Sequence, residues 1–149
     1  MTTDPSKSTN LVATREREWL LAEPGVRFRV LTPTEDTGGA FACIECIAEP
    51  NTGSSLHIHH NEDEHILVLE GVAHLRLGEQ VLDPPARQTI TMPRGIPHSW
   101  NNMSDTALRF MILFSPSGFD RFSLEIAANT VPRSEIRPRY GLEVVGPRL

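Results

Sequence analysis

From Val26 onward the apolar residues come in short runs, many alternating with polar ones, and Gly, Pro, Asn or Asp breaks them about every eight to twelve residues. A period of two marks a strand with one buried face, so the pattern predicts strands near 26–31, 40–48, 55–60, 64–70, 72–77, 88–92, 97–101 and 106–114. Strands this short and numerous, separated by turn signals, predict an all-β jelly-roll barrel or sandwich. The segment 64–70 is apolar in both phases, which predicts cover on both of its faces. Thr32–Gly39 and Asp83–Pro85 read as loops by composition, and the paired Pro84-Pro85 cannot donate to a central ladder.

After the last strand the period changes. Phe119, Phe122, Ser123, Ile126 and Ala127 fall on one helical stripe, with Ser117 placed as a cap and Asp120 three residues on. This predicts a C-terminal helix packed on the outer face of the barrel, followed by a proline-interrupted tail lying over the domain. The expected division is an N-terminal tail or arm at 1–25, the barrel at 26–115, and the helix and tail at 116–149. Within the first part, residues 1–10 read as a disordered tail, and Thr14 to Glu23 fit either a short helix or an arm reaching a partner subunit.

Length and charge narrow the function. A chain of 149 residues, 39% hydrophobic, supports one core and a single domain. A net charge of -5 leaves no basic stripe for phosphates, which argues against nucleic acid and anionic membranes and for a small-molecule partner. The polar N-terminus lacks the apolar core of a secretory signal, and no apolar run reaches spanning length, so a cytoplasmic location is expected. The two cysteines, Cys43 and Cys46, form a lone C-x-x-C; on a strand they point to opposite faces and read as small core residues instead of a zinc or redox pair.

The chemistry concentrates in two segments. On a strand His57 and His59 project to the same side, about 6.7 Å apart along the chain, close enough for both imidazoles to lean onto one ion. Glu64 opens the doubly apolar run, where an unpaired carboxylate would be costly and a metal-bound one is compensated. His98 follows Pro93-Arg-Gly95 and supplies a third imidazole. His60 and His65 are one residue out of phase with the ligand candidates, and Glu62 and Asp63 read as solvated. Three imidazoles and a carboxylate suit one divalent transition-metal ion, whether Fe, Mn, Ni, Co, Cu or Zn, and leave positions open for substrate. Trp100, Met92, Phe110 and Ile112 are candidates for a substrate-binding wall. Arg76, Arg109 and Gln88 are candidates for orienting an anionic or enolic group.

At these residues the chain resembles the cupin superfamily, whose motifs run G-x5-H-x-H-x3–4-E-x6-G and G-x5-P-x-G-x2-H-x3-N. His57-x-His59-x4-Glu64-x6-Gly71 matches the first except at its opening glycine, which falls on Asn51, with Gly53 two residues late. Pro93-x-Gly95-x2-His98-x3-Asn102 matches the second, its opening glycine position being Arg87. The Phe114–Phe122 segment and the Tyr140-Gly-Leu-Glu-Val ending also look like small cupins of the quercetin-dioxygenase-like kind. The resemblance covers roughly residues 26 to 145. It implies a cupin jelly roll, a homodimer, and a metal-dependent dioxygenase acting on an enol or phenol, with Glu64 staying as a ligand or accepting the substrate proton. A non-catalytic metal- or small-molecule-binding cupin, and a metal-assisted isomerase or decarboxylase, are the alternatives, because one such barrel hosts all of these.

Overall fold

Strand β11, Leu108–Ser115, shows how the period of two builds the core. Leu108, Phe110, Ile112 and Phe114 are buried on one face, while Arg109, Met111, Leu113 and Ser115 stand half-exposed on the other. Each large inward side chain contributes about 1.5–3 kcal/mol through the apolar surface it removes from water. The same alternation runs through β6, Asp63–Glu70, where Glu64, Ile66 and Val68 are buried. Its other face carries His65, Leu67 and Leu69 half-exposed, so the run is covered fully on one side only.

The structure, a computed structural model, describes residues 17–148. In chain order the remaining strands are β1 Leu20–Glu23, β2 Val26–Thr32, β3 Ala42–Ala48, β4 Thr52–Gly53, β5 Ser55–His59, β7 His74–Leu77, β8 Gln80–Leu82, β9 Thr89–Met92, β10 His98–Asn102 and β12 Leu142–Arg148. The helices are α1 Thr34–Thr37, α2 Phe119–Ala128 and α3 Arg133–Ile136, with a 3₁₀ turn at Arg137–Tyr140. Two antiparallel sheets face each other, one ordered β1-β2-β3-β11-β6-β9 and the other β12-β5-β10-β7-β8, with β4 added on β10. Their inner faces form one apolar core that includes Phe28, Ile44, Ile66, Leu75, Met92, Trp100 and Phe110.

Several expectations change. Leu20–Glu23 is a strand, not a helix or a free arm: it pairs with β2 across a turn in which Gly25 takes φ 81°, so hairpin pairing overrides any helical preference. The expected tail at 1–10 lies outside the described residues. Leu142–Arg148, expected as a covering tail, is an edge strand on β5, with Leu142 opposite His59 and Val144 opposite His57. Helix α2 forms as predicted, but Ser117 does not cap it; Gly118 stands at the cap and no side chain bonds there. Asp120, buried in the first turn, accepts hydrogen bonds instead from the Thr34 amide at 2.9 Å and the Thr34 hydroxyl at 2.6 Å. That cross-link ties α2 to the start of α1. The helix lies against the open end of the barrel and not its outer face, because Phe119 packs edge-on against His59 at 4.5 Å and tilted on Phe114 at 4.7 Å.

The two motif positions that lack glycine keep the backbone a glycine would supply. Asn51 has φ 61° and Arg87 φ 72°, both in the left-handed region. The loops into β4 and β9 therefore keep the turn, at a cost of about 1–2 kcal/mol for a side chain such as arginine. Gly53, two residues after Asn51, is needed for close approach: a Cβ there would fall 2.1 Å from Asn101 Oδ1 and 2.6 Å from the Trp100 carbonyl oxygen on β10.

Candidate metal centre

The cluster is assembled from three strands. His57 and His59 project from β5, Glu64 from β6, and His98 from β10, where it sits directly opposite His57 in the sheet register. One ligand atom from each lies within 4.8 Å of all the others. His59, Glu64 and His98 are almost completely buried, and His57 is partly exposed. The ring centroids are 4.5 to 5.3 Å apart, with His59 and His98 stacked.

Each imidazole is oriented by what its other nitrogen meets. Nδ1 of His57 donates to the Ser55 carbonyl at 2.6 Å, and Nδ1 of His98 to the Ile96 carbonyl at 3.0 Å. Nδ1 of His59 donates to Glu62 Oε1 at 2.6 Å. In all three rings this leaves Nε2 as the nitrogen available to an ion, an arrangement in which an outer partner fixes the tautomer and raises ligand basicity. Glu64 Oε2 stands 2.8 Å from Nε2 of His98 and 3.1 Å from Nε2 of His59. Glu62, read from sequence as solvated, is instead only 3% exposed. The signal was present in the i, i+3 spacing from His59, since β5 turns into β6 at once and brings the carboxylate under the ring. Asp63 is half-exposed and forms an ion pair with Arg94.

The electrostatics follow from this burial. Desolvation, with the neighbouring His98 and His59 adding to it, pushes the His57 imidazolium down to about 4, so that ring is neutral at ordinary pH. Burial also works against the charged form of His59, but its hydrogen bonds to Glu62 and Glu64 outweigh it and raise the ring to about 9. Burial opposes ionisation of Glu64, yet the charge of His98 and the bonds from His59 and His98 hold its carboxyl well below the usual range. The donor set of three imidazole nitrogens and one ionised carboxylate fits a single divalent transition-metal ion, and His57, His59, Glu64 and His98 are the residues that could hold it.

A cavity of about 350 Å³ opens onto this cluster. His57, His59 and Glu64 line its buried end, and His98 sits behind that wall. The sides are apolar and aromatic, with Phe28, Trp100, Ile112 and Phe114 from the sheets and Phe119 and Phe122 from α2. Of the expected wall residues, Trp100 and Ile112 therefore face the cavity, while Met92 and Phe110 lie in the core away from it. None of Arg76, Arg109 and Gln88 reaches it: Arg76 donates to the Gly78 carbonyl, Arg109 pairs with the buried Glu45 on the outer sheet face, and Gln88 is exposed. The helix stripe of Phe119 and Phe122 was legible only as a packing surface. Nothing in its spacing marks a cavity wall.

Residues 44–114 match the Cupin_2 model, described as the cupin domain. The fold is a cupin jelly roll. Among solved structures, the polyketide cyclase RemF from Streptomyces resistomycificus is 26% identical, with a TM-score of 0.59 over 70% of this chain and 77% of that one. KdgF from a Halomonas species is 17% identical, with a TM-score of 0.65 over 73% of this chain and 96% of that one, a likeness of fold. In sequence, mannose-1-phosphate guanylyltransferase 2 of Escherichia coli O157:H7 is 34% identical over 67 residues, which is 45% of this chain but 14% of that protein. The chain spans less than a fifth of the length of such relatives. Among the described residues no helix is long and apolar enough to cross a membrane.

Proposed function

We propose that this cupin is a metal-dependent enzyme acting on a small enolic or phenolic molecule, with dioxygenase-type cleavage as the first reading. The observation that carries it is the convergence of three Nε2 atoms and Glu64 at the buried end of an aromatic cavity. A divalent ion held there would polarise an enolate or phenolate oxygen and leave positions open for it. Phe114, Phe119 and Trp100 would flank the ring of such a substrate and keep water from it, and Ile112 would fill the wall beside them. Among the described residues Glu64 is the one acidic group lining that end of the cavity, so it is the residue to take the substrate proton if it leaves the ion.

A second reading, proton chemistry without oxygen, draws support from the likeness to a polyketide cyclase. Oxygen uptake by metal-loaded protein with flavonols and β-diketones tests the first reading. Product formed from the same compounds under strictly anaerobic conditions would replace it with the second, and saturable binding with no product under either condition would favour a non-catalytic binder.

The outer face of β3, β11 and β6 keeps Ile47, Leu67, Leu69, Met111 and Leu113 half-exposed, which supports a homodimer formed through that sheet. A monomeric mass by light scattering would reject it.

A further inference from the structure

The charges at the open end of the cavity do not follow those of the chain. The protein carries a net -5, yet the cavity lining away from the histidines holds Arg133, Arg137 and Arg148 against one carboxylate, Glu23. Arg133 is already engaged, donating to the Ala22 carbonyl and lying 4.0 Å from Glu23. Arg137 and Arg148 have no carboxylate partner and no side-chain hydrogen bond among the described residues. They come from separate elements, the 3₁₀ turn and β12, and both line this cavity, Arg148 also bordering a smaller one beside Thr52 and Met103. Guanidinium groups present a planar fork that matches an oxyanion with two parallel hydrogen bonds. The rest of the lining is mainly apolar and aromatic, with the hydroxyls of Ser54, Ser55 and Ser123 among it.

We propose that Arg137 and Arg148 form an oxyanion subsite, so that the substrate is an apolar or aromatic molecule with a carboxylate or phosphate at the end remote from the metal cluster. This rests on the reading of the cavity as a metal-dependent substrate site, and it narrows the substrate class from enols and phenols in general to those carrying an anionic arm. The two arginines select and orient; the atoms that react lie at the histidine end. The cavity volume of about 350 Å³ suits a substrate of one or two rings.

Calorimetric titration of the full chain with trans-cinnamate, phenyl phosphate and the neutral cinnamamide tests this, on protein as purified and after chelator treatment, with metal content measured on the same samples. The expected result is that at least one anion binds about tenfold or more tighter than cinnamamide in both preparations, the better anion identifying the source of the charge. R137Q/R148Q should lose about tenfold in that anion's affinity, leave cinnamamide binding unchanged and retain its metal, while R137K/R148K should keep part of the preference. The single exposed variant R148Q, expected to lose part of it, guards against misfolding of the double variant. Equal affinity for the three probes, no saturable binding, an undiminished preference in R137Q/R148Q, or a preference that vanishes with the metal would each overturn the subsite. A chain that holds no metal yet prefers the anion would retain the subsite and reject the metal-dependent reading, so the two failures are separable.

Discussion

Glu62 Oε1 lies 2.6 Å from Nδ1 of His59, and both side chains are almost wholly buried. The carboxylate holds the ring so that Nε2 faces Glu64 and His98. Outer partners of this kind typically govern metal affinity by about 10–100-fold. Glu62→Ala is expected to weaken metal binding by that order in chelator competition, while Glu62→Gln, whose amide oxygen still accepts the Nδ1 proton, retains most of it. His60→Gln should leave the affinity unchanged, because His60 pairs with Glu143 at the surface.

Ligands contributed by β5, β6 and β10 link both sheets, so an ion bound there favours the folded state over the unfolded one. Chelation is expected to lower the thermal midpoint of the wild-type protein by several degrees or more. Glu64→Ala should show a smaller chelator effect and reduced metal content by elemental analysis. Equal metal in both proteins would remove Glu64 from the ligand set.

Arg87 holds φ 72° with an exposed side chain that makes no ion pair among the described residues. A glycine there escapes the left-handed penalty but adds freedom to the unfolded chain, two effects that oppose each other. Arg87→Gly is expected to stabilise the protein by about 0.5–1 kcal/mol in urea denaturation. Asn51→Gly should gain less, because asparagine tolerates that region. Destabilisation by Arg87→Gly would show that the added freedom of the unfolded chain outweighs the relief of the left-handed backbone.

Asp120, itself 1% exposed, accepts two hydrogen bonds from the half-buried Thr34. Removing an acceptor from buried donors costs about 1–3 kcal/mol. Asp120→Ala is therefore expected to lose that much stability, and, since α2 carries Phe119 against His59, to weaken binding of aromatic probes in the cavity as well. A loss of stability with probe affinity intact would show that α2 keeps its place without this tie.

Cys43 and Cys46 point to opposite faces of β3 and are both free and buried. Burial, with the charge of Glu45 adding to it, pushes the Cys43 thiol up to about 11, and burial followed by the charge of Glu64 pushes Cys46 higher still. At pH 8 both stay protonated, and it is the thiolate that reacts. Native protein is expected to resist a thiol-specific reagent that labels both residues after denaturation. Rapid native labelling of either would indicate local opening of the sheet.

The alternation of Leu108–Ser115, the turn residues and the spacing of His57, His59, Glu64 and His98 were legible along the chain, because each depends on the local period of a strand or on neighbours a few residues apart. So were the small-residue role of the cysteines and the stripe of α2. Asn102, the last position of the second motif, ties down the turn after β10: its amide donates to the Ala48 and Thr106 carbonyls and its oxygen accepts from Ser104. Burial of Glu62 was harder to see, since a charged residue between two strands is usually solvated and only the tightness of this turn places it beneath His59.

What joins distant segments was decided by the tertiary structure. Whether Leu142–Arg148 trails over the surface or pairs with the strand that carries His57 and His59 depends on an edge left free by β5, which no local pattern encodes. Whether Phe119 covers the outside of the barrel or its open end depends on the anchor between Asp120 and Thr34, 86 positions apart. Arg137 and Arg148 reach one cavity only because the turn and β12 return to the barrel mouth. Side-chain periodicity specifies which face of an element turns inward. The closing of long loops, which gains its energy from contacts between those faces, specifies what that face meets.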